Sequence, residues 1–129
     1  MSQIKIYGID THLIPLRKQL SDTIHNTVVH VLSLPIDKRF HRFFPLESAN
    51  FFKPEDRSDA YTIIEISMIK GRSVQTKKAL VKRLFENIEN DIGIQKQDIE
   101  ITIYEEAPEN WGFRGAHGDE ITLSYKVEI

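Results

Sequence analysis

The spacing of apolar residues in this chain switches from a period of two to a period of about 3.6 and back, and it does so twice. Ile4 and Ile6 alternate with Gln3, Lys5 and Tyr7, which predicts a strand over residues 2–8. Leu13, Leu16, Leu20, Ile24, Thr27, Val28 and Val31 then recur every three or four residues, the stripe of a helix about five turns long. Asp10 or Thr11 is its expected cap, and Pro15 is expected in the first turn, where a missing N–H costs little. Leu34-Pro35 ends it, and Phe40, Arg42 and Phe44 then fall on one face of a second strand. After a polar connection over residues 47–60 the pattern begins again. The nearly continuous apolar run from Thr62 to Ile69 suits a central strand covered on both faces. Ser73 is the candidate cap of a second helix, whose stripe is Leu80, Val81, Leu84, Phe85, Ile88 and Ile92 and whose stop is Gly93. Ile99, Ile101 and Ile103 alternate as a fourth strand.

The halves also echo each other in sequence: Leu34-Pro35-Ile36-Asp37-Lys38 follows the first helix as Ile92-Gly93-Ile94-Gln95-Lys96 follows the second. This order implies an α+β fold, an α/β two-layer sandwich. Duplicated β-α-β units form a four-stranded sheet with two helices on one face. Ile121, Leu123, Tyr125 and Val127 alternate once more and predict a short C-terminal strand. Residues 1–129 are expected to make a single domain. The sheet face without helices is left bare, and self-association into a ring of subunits is the natural cover for its apolar groups.

The totals exclude several classes of function. A net charge of −2 offers no basic field for nucleic acid or an anionic membrane. The absence of cysteine excludes disulfides, thiolate metal sites and a cysteine nucleophile. No apolar run approaches the ~20 residues of a membrane span, and no signal peptide is evident, so a cytoplasmic location is expected. His25 and His30, five apart, do not share a helix face as a metal pair would. His41 faces either a pocket or a structural partner. His117 with Asp119 and Glu120 matches no recognised metal loop, and no glycine pattern forms a dinucleotide fingerprint.

Between the fourth strand and the tail lies Ala107 to Glu120, with the only tryptophan and with Gly112, Gly115 and Gly118 at every third position. Trp111 and Phe113 either cover the end of the sheet or wall a pocket. With this loop, the chain resembles the tautomerase superfamily, in particular its malonate semialdehyde decarboxylase-like branch. The resemblance covers nearly the whole chain and is carried by Leu34 to Phe40, by Lys70-Gly71-Arg72-Ser73 and by Asn110-Trp111-Gly112-Phe113. It implies a homotrimer with pockets near the amino termini and subunit boundaries, and no metal or organic cofactor. The family's catalyst is an amino-terminal proline. Here Ser2 follows Met1, and the first proline is Pro15. The branch's aspartate after the first helix matches Lys38, with Asp37 one position away.

The implied chemistry is keto–enol tautomerisation of a small carboxylic acid, or a related lyase step. It needs a base to move a proton between carbon and oxygen, and cations to hold the carboxylate and the developing enolate. The conditional base is the terminal amine of Met1, or of Ser2 after processing. An α-amine starts near ~7.7–8.0, and cationic neighbours in an apolar pocket lower it. A primary amine, more mobile than a proline ring nitrogen, implies weakened or lost activity. The resemblance places the branch's two basic residues at Lys70 and Arg72 and its aromatic wall at Trp111 and Phe113. Arg72, just before a helix amino terminus, is either a carboxylate-gripping group or a link to a neighbouring subunit. Arg39 and Arg42, interleaved with Phe40, Phe43 and Phe44, read as part of a pocket or interface strand rather than as a nucleic-acid surface. Two alternatives stand beside this reading. One is a non-catalytic small-anion binder or trimeric scaffold. The other is a ferredoxin-like regulatory domain.

Overall fold

A computed structural model describes residues 2–129. Met1, the first candidate for the terminal amine, lies outside the described residues. Strand β1 (Ser2–Ile9) hands directly to helix α1 (Asp10–Leu32), and β2 (His41–Leu46) returns parallel to β1. The second unit repeats this as β3 (Thr62–Ile69), α2 (Val74–Ile92) and β4 (Ile99–Glu106), with β4 parallel to β3. The sheet order is β2-β1-β3-β4, so the two units meet along β1 and β3, which run antiparallel. Ser2 pairs with Met68, Lys5 with Glu65 and Gly8 with Thr62, which centres a local two-fold on Lys5 and Glu65. The two inner strands even bury their residues in the same sequence of positions. This is the expected duplicated two-layer fold.

Alternation explains which face meets the helices. Ile4 and Ile6 of β1 and Ile64, Ile66 and Met68 of β3 are fully buried against Leu20, Ile24, Leu80, Leu84 and Ile88. Burying one such side chain contributes roughly 1.5–3 kcal/mol, so these ten residues form the main stabilising layer. On the other face Tyr7 stacks on Phe44 with ring centroids 4.8 Å apart, and the Tyr104 hydroxyl donates to Glu65 at 3.3 Å. The carboxylate of Glu65 lies beside both phenols. Burial and Glu65 raise the pKa of Tyr7, and Glu65 followed by burial raises that of Tyr104. The expectation that β3 is covered on both faces does not hold in one chain: Ile63, Glu65 and Ser67 are only half-buried.

The second helix begins and ends as its sequence predicts. The Ser73 hydroxyl accepts from the Thr76 N–H at 3.1 Å, and Gly93 at φ 86° closes the helix by donating to Glu89 and Ile88. The first helix departs from expectation. Its N-cap is Ile9, with no side-chain cap, and Asp10 Oδ1 instead accepts from the neighbouring Thr11 N–H at 2.7 Å. Because the helix starts at Asp10, Pro15 lies inside it, beyond the first turn. The alternating tail also departs: residues 121–129 form no strand. The tail is taken up instead by side-chain contacts near the start of α2. The Ser73 and Thr76 hydroxyls donate to the Ile129 carbonyl at 3.2 and 2.7 Å. The late strands are a two-residue pair, β5 (Gly112–Phe113) and β6 (Ala116–His117).

Candidate functional site

Among the described residues, the start of β1 at Ser2 forms the base of a partly open hollow of about 680 Å³. Four stretches far apart in the chain line it. Ser2 and Gln3 come from β1, Leu34, Lys38 and Phe40 come from the connection between α1 and β2, and Arg42 comes from β2 itself. Phe113 and Arg114 come from the β5–β6 turn, and Thr122 to Tyr125 come from the tail. The turn that delivers Arg114 has both central residues at positive φ, 53° at Arg114 and 81° at Gly115. That is the twist a two-residue hairpin needs, and glycine supplies it without steric cost at the second position. Arg114 then lies over the Phe113 ring, 5.3 Å from its centroid.

The wall is cationic. Lys38, Arg42 and Arg114 line it and no carboxylate does. Among the described residues none of the three forms an ion pair. Arg42 Nη1 reaches only the neutral Gln3 Oε1, at 3.4 Å. Phe40, Phe113, Leu34 and Leu123 supply apolar surface around these charges. Such a cavity favours a small anion with an apolar body, since charge in a partly dry site is held more strongly than in water.

The other residues singled out by sequence stand elsewhere. Arg72 is 4% exposed and does not line this hollow. Its Nη1 donates to the Ile69 carbonyl at 3.2 Å, while Nε and Nη2 are buried without partners. Burial lowers its pKa and the nearby Glu105 opposes that shift. Lys70 is exposed at the end of β3, with its N–H donating to the Glu106 carbonyl at 2.8 Å. Trp111 is half-buried behind the hairpin, its Nε1 buried without a partner. Arg39 turns to α1, where it pairs with Asp22 at 2.7 Å. The structure thus brings Ser2 and Phe113 together, and leaves Lys70, Arg72, Trp111 and Arg39 off this wall. Lys38, Arg114 and the tail were not assigned to a site by sequence. Their closeness comes from the hairpin turn and the tail path, which no local period records. His117 is used within its loop, its Nδ1–H donating to the Glu109 carbonyl at 3.0 Å and its backbone N–H to Glu120 at 3.1 Å.

Residues 38–114 match the family model described as tautomerase enzyme. The chain belongs to the tautomerase family. Probable tautomerase YusQ of Bacillus subtilis (strain 168) is 27% identical over 101 residues, covering 74% of this chain and 80% of that protein. A crystal structure of malonate semialdehyde decarboxylase superposes with a TM-score of 0.77 at 21% identity, covering 86% of this chain and 89% of the other. A fused 4-OT asymmetric trimer gives a TM-score of 0.81 at 18% identity, covering 92% of this chain and 97% of the other. Within the tautomerase fold the hollow lies at the head of β1. Among the described residues no helix is long and apolar enough to cross a membrane.

Proposed function

We propose that this tautomerase-family chain binds a small keto or enol carboxylic acid in the hollow at Ser2 and interconverts its keto and enol forms. The observation that carries this reading is a wall with three cations and no carboxylate, built around the head of β1. Arg42 and Arg114 grip the substrate carboxylate, Lys38 adds charge, and Phe113 and Phe40 hold the apolar body. The α-amine of Ser2, freed by removal of Met1, accepts the enol hydroxyl proton as the carbonyl forms, and its conjugate acid returns a proton to carbon. The cations stabilise the negative charge that develops on oxygen between those steps. Turnover is expected to be slow, because a primary amine on a chain end is less fixed than a proline ring.

Arg72 serves this reading as a second-rank cation. We propose a homotrimer in which the open sheet faces cover one another. The Tyr7–Phe44 stack and the half-buried Ile63 support this, and so does the trimeric assembly of the fused 4-OT neighbour. The lack of any proline before Pro15 favours a second reading, a small-anion binder or trimeric scaffold that keeps the pocket without turnover.

The experiment is conversion of phenylpyruvate and 2-hydroxymuconate between about pH 6 and 9, a range that brackets an α-amine. Wild type is compared with Arg42→Ala and Arg114→Ala, and solution mass is measured against the 15.0 kDa chain. Turnover that either variant reduces by about 10-fold or more supports the enzyme, that being the scale of one lost carboxylate contact. Thermal stabilisation by the same acids without turnover supports the binder. Neither turnover nor stabilisation overturns both.

A further inference from the structure

The segment between α1 and β2 alternates between two jobs. Leu34, Lys38, Phe40 and Arg42 line the hollow. Between them, Ile36, Arg39 and His41 are tied to α1. His25 Nε2–H donates to the Ile36 carbonyl at 2.6 Å, and Arg39 Nη1 donates to Asp22 at 2.7 Å and to the Ser21 hydroxyl at 3.3 Å. Ser21 Oγ lies 2.8 Å from His41 Nδ1. Ser21 and His25 are four residues apart and therefore share a helix face, where both are buried. The His25 and His41 rings meet edge-on, 5.9 Å between centroids.

These contacts decide the proton positions. Ser21 Oγ accepts from Arg39 and keeps one proton and one lone pair for His41 Nδ1; with that proton directed to Nδ1, His41 is the neutral Nε2–H tautomer. We infer that Ser21, His25 and His41 are positioning residues for the pocket: they set where Lys38, Phe40 and Arg42 stand, and protonation of His41 loosens that wall. The inference rests on the reading of the hollow as a carboxylate site. A proton on Nδ1 would make His41 a second cation beside Arg39 on one hydroxyl. The charged and titratable groups facing His41 are His25 and Asp22 from α1 and Arg39 from its own segment. Two of these are cationic or can become so, and Asp22 is already shared by Arg39 and Lys18. Burial, with His25 and Arg39 behind it, accordingly holds the His41 pKa down to about 4.

The test uses the full chain and phenylpyruvate as probe. The dissociation constant at pH 7 is measured for wild type, Ser21→Ala, Ser21→Thr and Thr23→Ala. Ser21→Ala should weaken binding by about 2- to 10-fold, the range of one neutral hydrogen bond, and Ser21→Thr should restore much of it. Thr23→Ala removes a comparable α1 contact, the 3.1 Å bond to Asp91, and should leave binding unchanged. In parallel, NMR follows the His41 ring and the amides of Lys38, Phe40 and Arg42 on acidification. The amides should shift together with the His41 ring, and Ser21→Ala should move that midpoint upward. Binding unchanged in Ser21→Ala overturns the inference, as do amides that ignore His41. If wild type does not bind phenylpyruvate, the carboxylate reading fails, while the coupled NMR titration still decides whether the wall is pinned.

Discussion

Replacing Arg72 with methionine should stabilise this protein. The guanidinium is buried, makes one bond to the Ile69 carbonyl at 3.2 Å, and leaves Nε and Nη2 without partners. Its nearest opposite charge, Glu105, already holds Lys77 at 2.7 Å, so the methionine variant leaves no carboxylate unpaired. Exchanging a buried ion pair or triad for apolar residues of similar volume is often neutral or gains ~1–4 kcal/mol, and a buried guanidinium with unpaired nitrogens carries the same desolvation cost with less return. The lost bond to Ile69 subtracts ~0.5–1.5 kcal/mol. The net expectation is a gain of about 1–2 kcal/mol, or a rise in Tm of about 3–8 °C for a chain of this size. Urea unfolding followed by the fluorescence of the sole tryptophan, Trp111, measures it, at one fixed protein concentration because assembly contributes to stability. A loss of more than about 1 kcal/mol would refute the reasoning, because it would mean that the buried nitrogens are satisfied in the native assembly. The same variant should convert phenylpyruvate more slowly only if Arg72 also serves the ligand.

Acid should destabilise the wild type through His41, whose pKa is lowered from 6.5 to about 4 by burial, His25 and Arg39. The unfolded chain takes up this proton first, so stability is intact above about pH 6.5 and falls by up to ~1.4 kcal/mol per pH unit down to about 4. Urea midpoints across that window should show a shallower slope for His41→Gln than for wild type. Ser73→Ala removes the 3.1 Å cap on the Thr76 N–H and should cost about 1 kcal/mol, read as faster hydrogen exchange in the first turn of α2. Gly118→Ala would place a methyl group 2.5 Å from the Pro108 carbonyl oxygen, so it should cost ~1–3 kcal/mol and shift Trp111 emission. Gly112→Ala meets nothing within 4 Å and should behave as wild type in the same melting assay.

The fold was legible because each element carries its own period. The alternation of Ile4 and Ile6, the stripe from Leu80 to Ile92 and the Ser73 and Gly93 signals are local, and the structure keeps all of them. The start of α1 was misread because Asp10 and Thr11 have capping chemistry, whereas β1 runs to Ile9 and leaves no room for a separate cap. The tail was misread for a complementary reason. Ile121 to Val127 has a strand's alternation, but it joins neither edge of the sheet and runs instead along the hollow towards α2. The site was only partly legible. Of the sequence candidates, Ser2 and Phe113 line the hollow, and the rest of the wall depends on where Arg114 is carried by a left-handed turn residue. Arg39 was read as facing ligand when it anchors its segment to α1. Charge and spacing identify a candidate cation, and only the tertiary path says which way it points.

The local two-fold between β1 and β3 has a consequence for stoichiometry. It carries Ser2 onto Thr62 and Leu34 onto Ile94, so the chain has two related strand ends, each beside a buried residue that follows a helix. At Ser2 the end opens into about 680 Å³, whereas at Thr62 the linker residues Ala60 and Tyr61 leave only about 10 Å³. Joining two like halves on one polypeptide put a peptide bond where the second half would otherwise present a free chain end. On the proposed reading of the Ser2 hollow, the joined chain should titrate with one equivalent of ligand, not two, and a trimer with three. At the blocked end, Tyr61, Thr62 and Ile94 are buried and serve the packing of the core.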